Sequence, residues 1–111
     1  MTTTITDRAA NLIRSAFIWD NHACMPLRPN DTSFLPQIER ARAAGFDAVT
    51  LNIGFGESGP DQHLAMLGAL RAWFEARPDA YRLIERPADL EAARAENRLG
   101  ILFDIEGACN P

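Results

Sequence analysis

Three short runs constrain the fold more than any other feature: FIWDNH at 17–22, AVTLNI at 48–53 and LGILFDI at 99–105. Each is mostly apolar and rich in β-branched or aromatic residues, as strands are when both faces of a parallel sheet are covered. Segments of helical period lie between them. Asp7 can cap a short helix carrying Ala10, Leu12 and Ile13. Asp31, Thr32 or Ser33 caps a helix whose apolar positions are Leu35, Ile38 and Ala41, and Gly45 suits the left-handed residue that follows a helix end. Asp61 opens the most regular helix, where Leu64, Leu67, Leu70 and Phe74 recur at three- and four-residue spacing as a core stripe and Pro78 is the stop. Residues 81–84 read as a short extended segment. Pro87 fits a first helical turn, and its helix runs to about Glu96.

The order β-α-β-α-(β)-α-β predicts an α/β fold with parallel strands and right-handed crossovers. A closed eight-stranded (β/α) barrel takes about 250 residues. A chain of 111 residues is therefore either a small open α/β domain or a single partial unit over 1–111, the N-terminal part of a (β/α)8 TIM-like barrel. Residues 1–6 are Thr-rich and read as a frayed terminus.

Composition narrows the function. The chain is 47% hydrophobic and 23% charged, with a net charge of −4. Its basic residues are all arginine and scattered, so there is no basic stripe of the kind nucleic acid requires. No apolar stretch approaches the roughly 18 residues of a membrane span. The start lacks a basic region followed by an apolar one, so it does not read as a secretory signal. Two cysteines, Cys24 and Cys109, are too few for a disulfide framework. These features predict a cytoplasmic, reducing compartment.

The first and last strands end in groups that are costly to bury. Alternation puts Asp20, His22 and Cys24 on one face, with Trp19 and Asn21 on the other, and puts Asp104 and Glu106 together. In parallel α/β folds the C-terminal strand ends form the site, so both strands deliver to one rim. Imidazole, thiolate and carboxylate are zinc-ligand types. A bound cation offsets their desolvation and brings the pKa of water near 7. Each residue also has a plainer reading. His22 alone could be a hydrogen-bonded rim residue, Cys24 a small buried hydrophobe, and Asp104 a structural acceptor. Glu106, an acid ending a buried strand, needs a partner. His63, at the start of a helix, is expected to face solvent. The GFG at 54–56 lacks the spacing and the immediate helix of a phosphate loop. Trp73 is either core or a partner surface. Cys109 could approach Cys24 and complete a Cys-Cys-His-Glu zinc site.

In order along the chain, FIWDNHACMPL, LPQIERARAAGFDAVTLNI, HLAMLGALRAWFEARPDAYRLI, PADLEAARAENRLG and ILFDIEGA resemble the membrane (renal) dipeptidase family, whose first strand carries Asp-Gly-His-x-Asp-x-Pro. The likeness spans about residues 8–111. It implies a zinc-dependent dipeptidase on a (β/α) barrel. In such enzymes two metals share a water that attacks the peptide carbonyl of small dipeptides, some with a D-residue at the C-terminal position. On this chain His22 matches the first metal-ligand histidine and Glu106 the carboxylate bridging the two ions. Cys24 stands where the family has an aspartate, so the expected ligands are His22, Cys24 and Glu106. No histidine follows His63, so the family's later histidine ligands and its proton-handling and substrate-binding groups belong to strands beyond Pro111; no catalytic residue is assigned. Cys24 also leaves open a metal-dependent amidase or lactonase on the same scaffold. A third alternative is a non-catalytic chain that associates through exposed sheet edges, as a homo-oligomer or with the missing barrel portion.

Overall fold

A computed structural model describes residues 6–56 and 58–107. In chain order the elements are α1 (Asp7–Ser15), β1 (Trp19–Ala23), a 3-10 turn (Leu35–Ile38), α2 (Glu39–Ala43), β2 (Ala48–Phe55), α3 (Pro60–Glu75), β3 (Tyr81–Leu83), α4 (Pro87–Ala95) and β4 (Leu99–Glu106). The four strands form one parallel sheet in the order β1-β2-β4-β3. The fold is α/β and consistent with an incomplete barrel, as expected.

One face of the sheet carries the core. Val49, Leu51 and Ile53 alternate along β2 and Leu99 and Ile101 along β4. They close against Phe34, Leu35 and Ile38 before α2, and against Met66, Leu70 and Phe74 on α3. Trp73, Phe74 and Tyr81 pack their rings edge-on or tilted, with centroids 5.0 to 5.7 Å apart. Trp73 is thus the margin of the core, and the Arg77 guanidinium covers it at 3.8 Å. The Tyr81 hydroxyl donates to Glu39 and ties β3 to α2.

The strand order is not sequential. β1, β2 and β4 are adjacent, as successive barrel strands are, but the three-residue β3 lies outside β4 and pairs only with Leu99, Gly100 and Ile101. The return from β3 to β4 therefore runs back across the sheet. A right-handed return puts α4 on the face away from α3. Leu90 of α4 accordingly borders a hollow with Trp19 and Leu102, apart from the main core.

The helix starts differ locally from expectation. Thr6, not Asp7, caps α1, its hydroxyl accepting from the Ala9 N–H at 3.2 Å. Asp31 accepts from Ser33 in a turn rather than capping a helix, because Pro36 holds the next segment in a 3-10 turn first. Gly59 and Pro60 begin α3 ahead of Asp61. Gly45 has φ +93°, which satisfies the left-handed position after α2. Asp89 receives the N–H groups of Glu85 and Arg86 at 2.9 and 3.1 Å and fastens the start of α4.

The α3 stripe is rotated from its expected position. Leu64 is 66% exposed, whereas Met66 is buried with Leu70 and Phe74. At about 100° per residue, Met66, Leu70, Trp73 and Phe74 share one arc and Leu64 falls far outside it. His63 falls within that arc.

Candidate metal centre at the strand ends

β1 is an edge strand whose first residue is not buried: Trp19 is 40% exposed, and Phe17 just ahead of the strand is 39% exposed. Its inner-face contacts are polar. The Trp19 indole donates to the Thr50 hydroxyl at 2.9 Å, and that hydroxyl donates to Asn21 Oδ1 at 3.2 Å. Thr50 and Asn52 of β2 stand opposite Leu102 and Asp104 of β4. This face runs upward into the rim.

The β1–β2 register shifts between Asp20 and Ala23. This irregularity breaks the simple alternation and overturns the expectation that Asp20 joins His22 and Cys24. Asp20 and Ala23 instead line a hollow with Ile38, Ala41 and Val49 on the helix side. The Asp20 carboxylate also accepts the His22 N–H at 3.1 Å. His22 is released to reach across to β4.

There His22 lies between two carboxylates. Nδ1 is 2.7 Å from Asp104 Oδ2, and Nε2 is 3.3 Å from Glu106 Oε2. The hydrogen bond to Asp104 is the main cause of a raised His22 pKa; Glu106 adds to it, and partial desolvation opposes it. Nε2 also faces Cys24 Sγ at 3.6 Å. His22, Cys24 and Glu106 each offer one ligand atom, and these atoms lie within 4.8 Å of one another. All three residues are exposed.

Asp104 fills a supporting position. By accepting from Nδ1–H it fixes the tautomer that leaves the Nε2 lone pair for a cation, the usual arrangement around ligating histidines. Its other oxygen, Oδ1, is buried and has no hydrogen-bond partner among the described residues. The donor set of borderline nitrogen, soft sulfur and one carboxylate oxygen fits a zinc-class ion.

Asn52 is a support that the sequence reading missed. It is 3% exposed, and its Oδ1 accepts from Gly54 N–H at 3.0 Å and Glu106 N–H at 3.3 Å. Both bonds fall where the β2–β4 register shifts between Asn52 and Phe55. The side chain thus replaces ladder bonds and fixes the backbone that carries Glu106. The available signal was two polar residues, Thr50 and Asn52, at alternate positions in an otherwise apolar strand.

His63 is the second correction. It is half-buried rather than solvent-facing, with Nε2 buried and unpartnered among the described residues. It extends the buried arc of α3 over Gly54, where a Cβ would run into the imidazole ring. Gly54 therefore serves close approach of the imidazole. The GFG segment forms the end of β2 and the turn after it, with Gly56 at φ +65°. Cys109 lies outside the described residues, as do residues 1–5 of the expected frayed start.

No family model and no curated protein matches the sequence. The chain is similar to a crystal structure of an amidohydrolase from Pseudomonas aeruginosa, with a TM-score of 0.72 and 18% identity over 89% of this chain. It spans only 28% of that protein. At such identity the likeness shows the fold, and that fold is the one built above: a parallel α/β segment with His22, Asp104 and Glu106 meeting at its C-terminal rim.

Proposed function

We propose that the chain is the opening part of a metal-dependent hydrolase that cleaves the amide bond of small dipeptides, with zinc held by His22, Cys24 and Glu106. The observation that carries this reading is the meeting of three metal-ligand atoms from the ends of β1 and β4 within 4.8 Å. The resemblance of FIWDNHACMPL and ILFDIEGA to the dipeptidase family supports the substrate class. The structural neighbour, an amidohydrolase, agrees with amide cleavage.

A divalent ion in such a site supplies charge that brings deprotonation of water near pH 7 and polarises a carbonyl. The protein's own parts have separate roles. Asp104 orients the imidazole, Asn52 fixes the backbone at Glu106, and the exposure of the three donors leaves room for a substrate. Further strands of a barrel would complete the pocket and supply the proton-handling groups.

Cys24, in place of the family's aspartate, favours a second reading: an amidase or lactonase acting on another small substrate. The open edge of β1 and the partly covered edge of β4 favour a third, in which the chain is non-catalytic and pairs with another copy or another barrel portion.

The protein carrying the remaining barrel strands, zinc-loaded and assayed against dipeptides, N-acyl amino acids and lactones, separates these. Dipeptide turnover that disappears with a chelator and in His22→Ala is the expected result. Turnover confined to the other substrates moves the assignment to the second reading. A zinc-loaded protein that hydrolyses none of them sinks both enzymatic readings. Among the described residues no helix is long and apolar enough to cross a membrane.

A further inference from the structure

We infer that Cys24, His22 and Asp104 form a nucleophile, a base and an orienting carboxylate that take the acyl group of a small thioester onto Cys24 Sγ and pass it to water. This activity goes beyond the zinc reading above and does not rest on it.

The geometry carries the inference. Cys24 Sγ lies 3.6 Å from His22 Nε2, and His22 Nδ1 lies 2.7 Å from Asp104 Oδ2. A nucleophile within reach of a base, with the base held from behind by a third group, is the arrangement that activates a hydroxyl or a thiol. The fold builds it from two strands. The register break in β1 between Asp20 and Ala23 sends His22 across to β4, where Asp104 stands opposite Asn52 of β2. Cys24 follows His22 by two residues and comes back beside its ring. By accepting from Nδ1–H, Asp104 leaves the Nε2 lone pair facing the thiol. Glu106 Oε2, 3.3 Å from Nε2, accepts from the N–H formed when the thiol proton moves there, so a carboxylate supports the imidazolium on each side. The aspartate that the dipeptidase family has at this position would give the ring no thiol to activate.

The steps balance. Nε2 takes the thiol proton as Sγ attacks the carbonyl carbon of the thioester. The new S–C bond forms, the old one breaks, and the departing thiolate takes the proton from Nε2–H and leaves as a thiol. Water then attacks the acyl-cysteine and gives a proton to Nε2, the carboxylic acid departs, and Sγ recovers that proton. Thioester and water become acid and thiol, with nothing oxidised or reduced. A thioester is the class that fits, because sulfur displacing sulfur makes a bond of the kind it breaks, and a thiolate departs without the prior protonation that an amine needs. Sγ and Nε2 are also the atoms assigned to zinc above, so zinc and the thiol chemistry exclude each other.

The test is S-phenyl thioacetate given to protein freed of metal by dialysis against a chelator. Mass spectrometry follows acetylation of the peptide carrying Cys24, and thiophenol release follows turnover. Acetylation of Cys24 should outpace that of N-acetylcysteine, and release should continue past one equivalent. His22→Ala should slow acetylation about 100-fold or more, the lower end of what a positioned base supplies. Asp104→Asn should slow it less. Alkylation of Cys24 by iodoacetamide should slow in both variants, which a merely structural role for Asp104 would not produce. Circular dichroism checks both folds, and His22→Gln repeats the test if the alanine variant is unfolded. One equivalent of zinc should suppress acetylation, and chelator should restore it. Acetylation no faster than that of N-acetylcysteine, a rate unchanged without His22, release that stops at one equivalent, or cleavage that needs added zinc overturns the inference. Dipeptide hydrolysis that requires zinc bears on the earlier reading alone, so the two stand or fall separately.

Discussion

The two faces of the sheet share strands but not chemistry. On the α3 side, β2 presents Val49, Leu51 and Ile53, each 7% exposed or less, to a closed apolar cluster. On the other side the same strand presents Thr50 and Asn52, both buried and both hydrogen-bonded to neighbours that lead to the rim. Side-chain alternation thus lets one backbone serve stability on one face and positioning on the other. Damage to one face should leave the other largely intact, because core contacts do not cross the strand.

Phe74→Ala makes the strongest test. It removes a ring that is 1% exposed and should cost about 3–5 kcal/mol by urea denaturation. Conditions that keep the variant folded should return nearly full zinc affinity; a parallel loss of affinity would show that the faces are coupled. Asp104→Asn probes the other side. It should lower zinc affinity about 10- to 100-fold, with an unfolding midpoint close to that of the parent. A large stability loss there would mean that the rim carries the fold.

The smallest of the three effects concerns the tie between β3 and α2. Tyr81→Phe should cost about 1 kcal/mol near neutral pH. The bond from Tyr81 is the main reason that the Glu39 pKa is lowered, with Arg42 contributing. Burial, then the Glu39 partner, raises the Tyr81 pKa. Glu39 thus favours the fold above its ordinary value of 4.5 and loses that contribution as pH falls through its lower folded value. Tyr81 favours the fold below its ordinary value of 10.0 and loses that contribution as pH rises through its higher folded value. The difference between parent and variant should be greatest between those limits and shrink towards acid. Urea midpoints at about pH 4 and about pH 7 check it; an unchanged difference would remove Glu39 from the account.

The face towards α3 is the more legible. AVTLNI and LGILFDI announce buried parallel strands, and both formed as expected. The α3 stripe of Leu64, Leu67, Leu70 and Phe74 misses the helix's phase because it leaves out Met66 and Trp73. Met66 and Trp73 shift that phase, expose Leu64 and bring His63 inward. At the rim, residue type at a strand end sufficed to bring His22, Cys24 and Glu106 together as candidates. Asp20 was misplaced because a register shift in β1 leaves no trace in strict alternation. The role of Asn52 was hidden because it depends on a break in pairing with a strand about 50 residues away.

The shortness of β3 has a geometric consequence. Its residues, with the Ile84 N–H bond to the Ile101 carbonyl, occupy the margin of β4 only up to Ile101. Any additional strand laid beside β4 must start above that step, opposite 102–106, and so enters offset towards the rim. The first side chains it brought there would stand next to Asp104 and Glu106, so assembly along this margin and access to the ion would be governed by the same few ångströms of backbone.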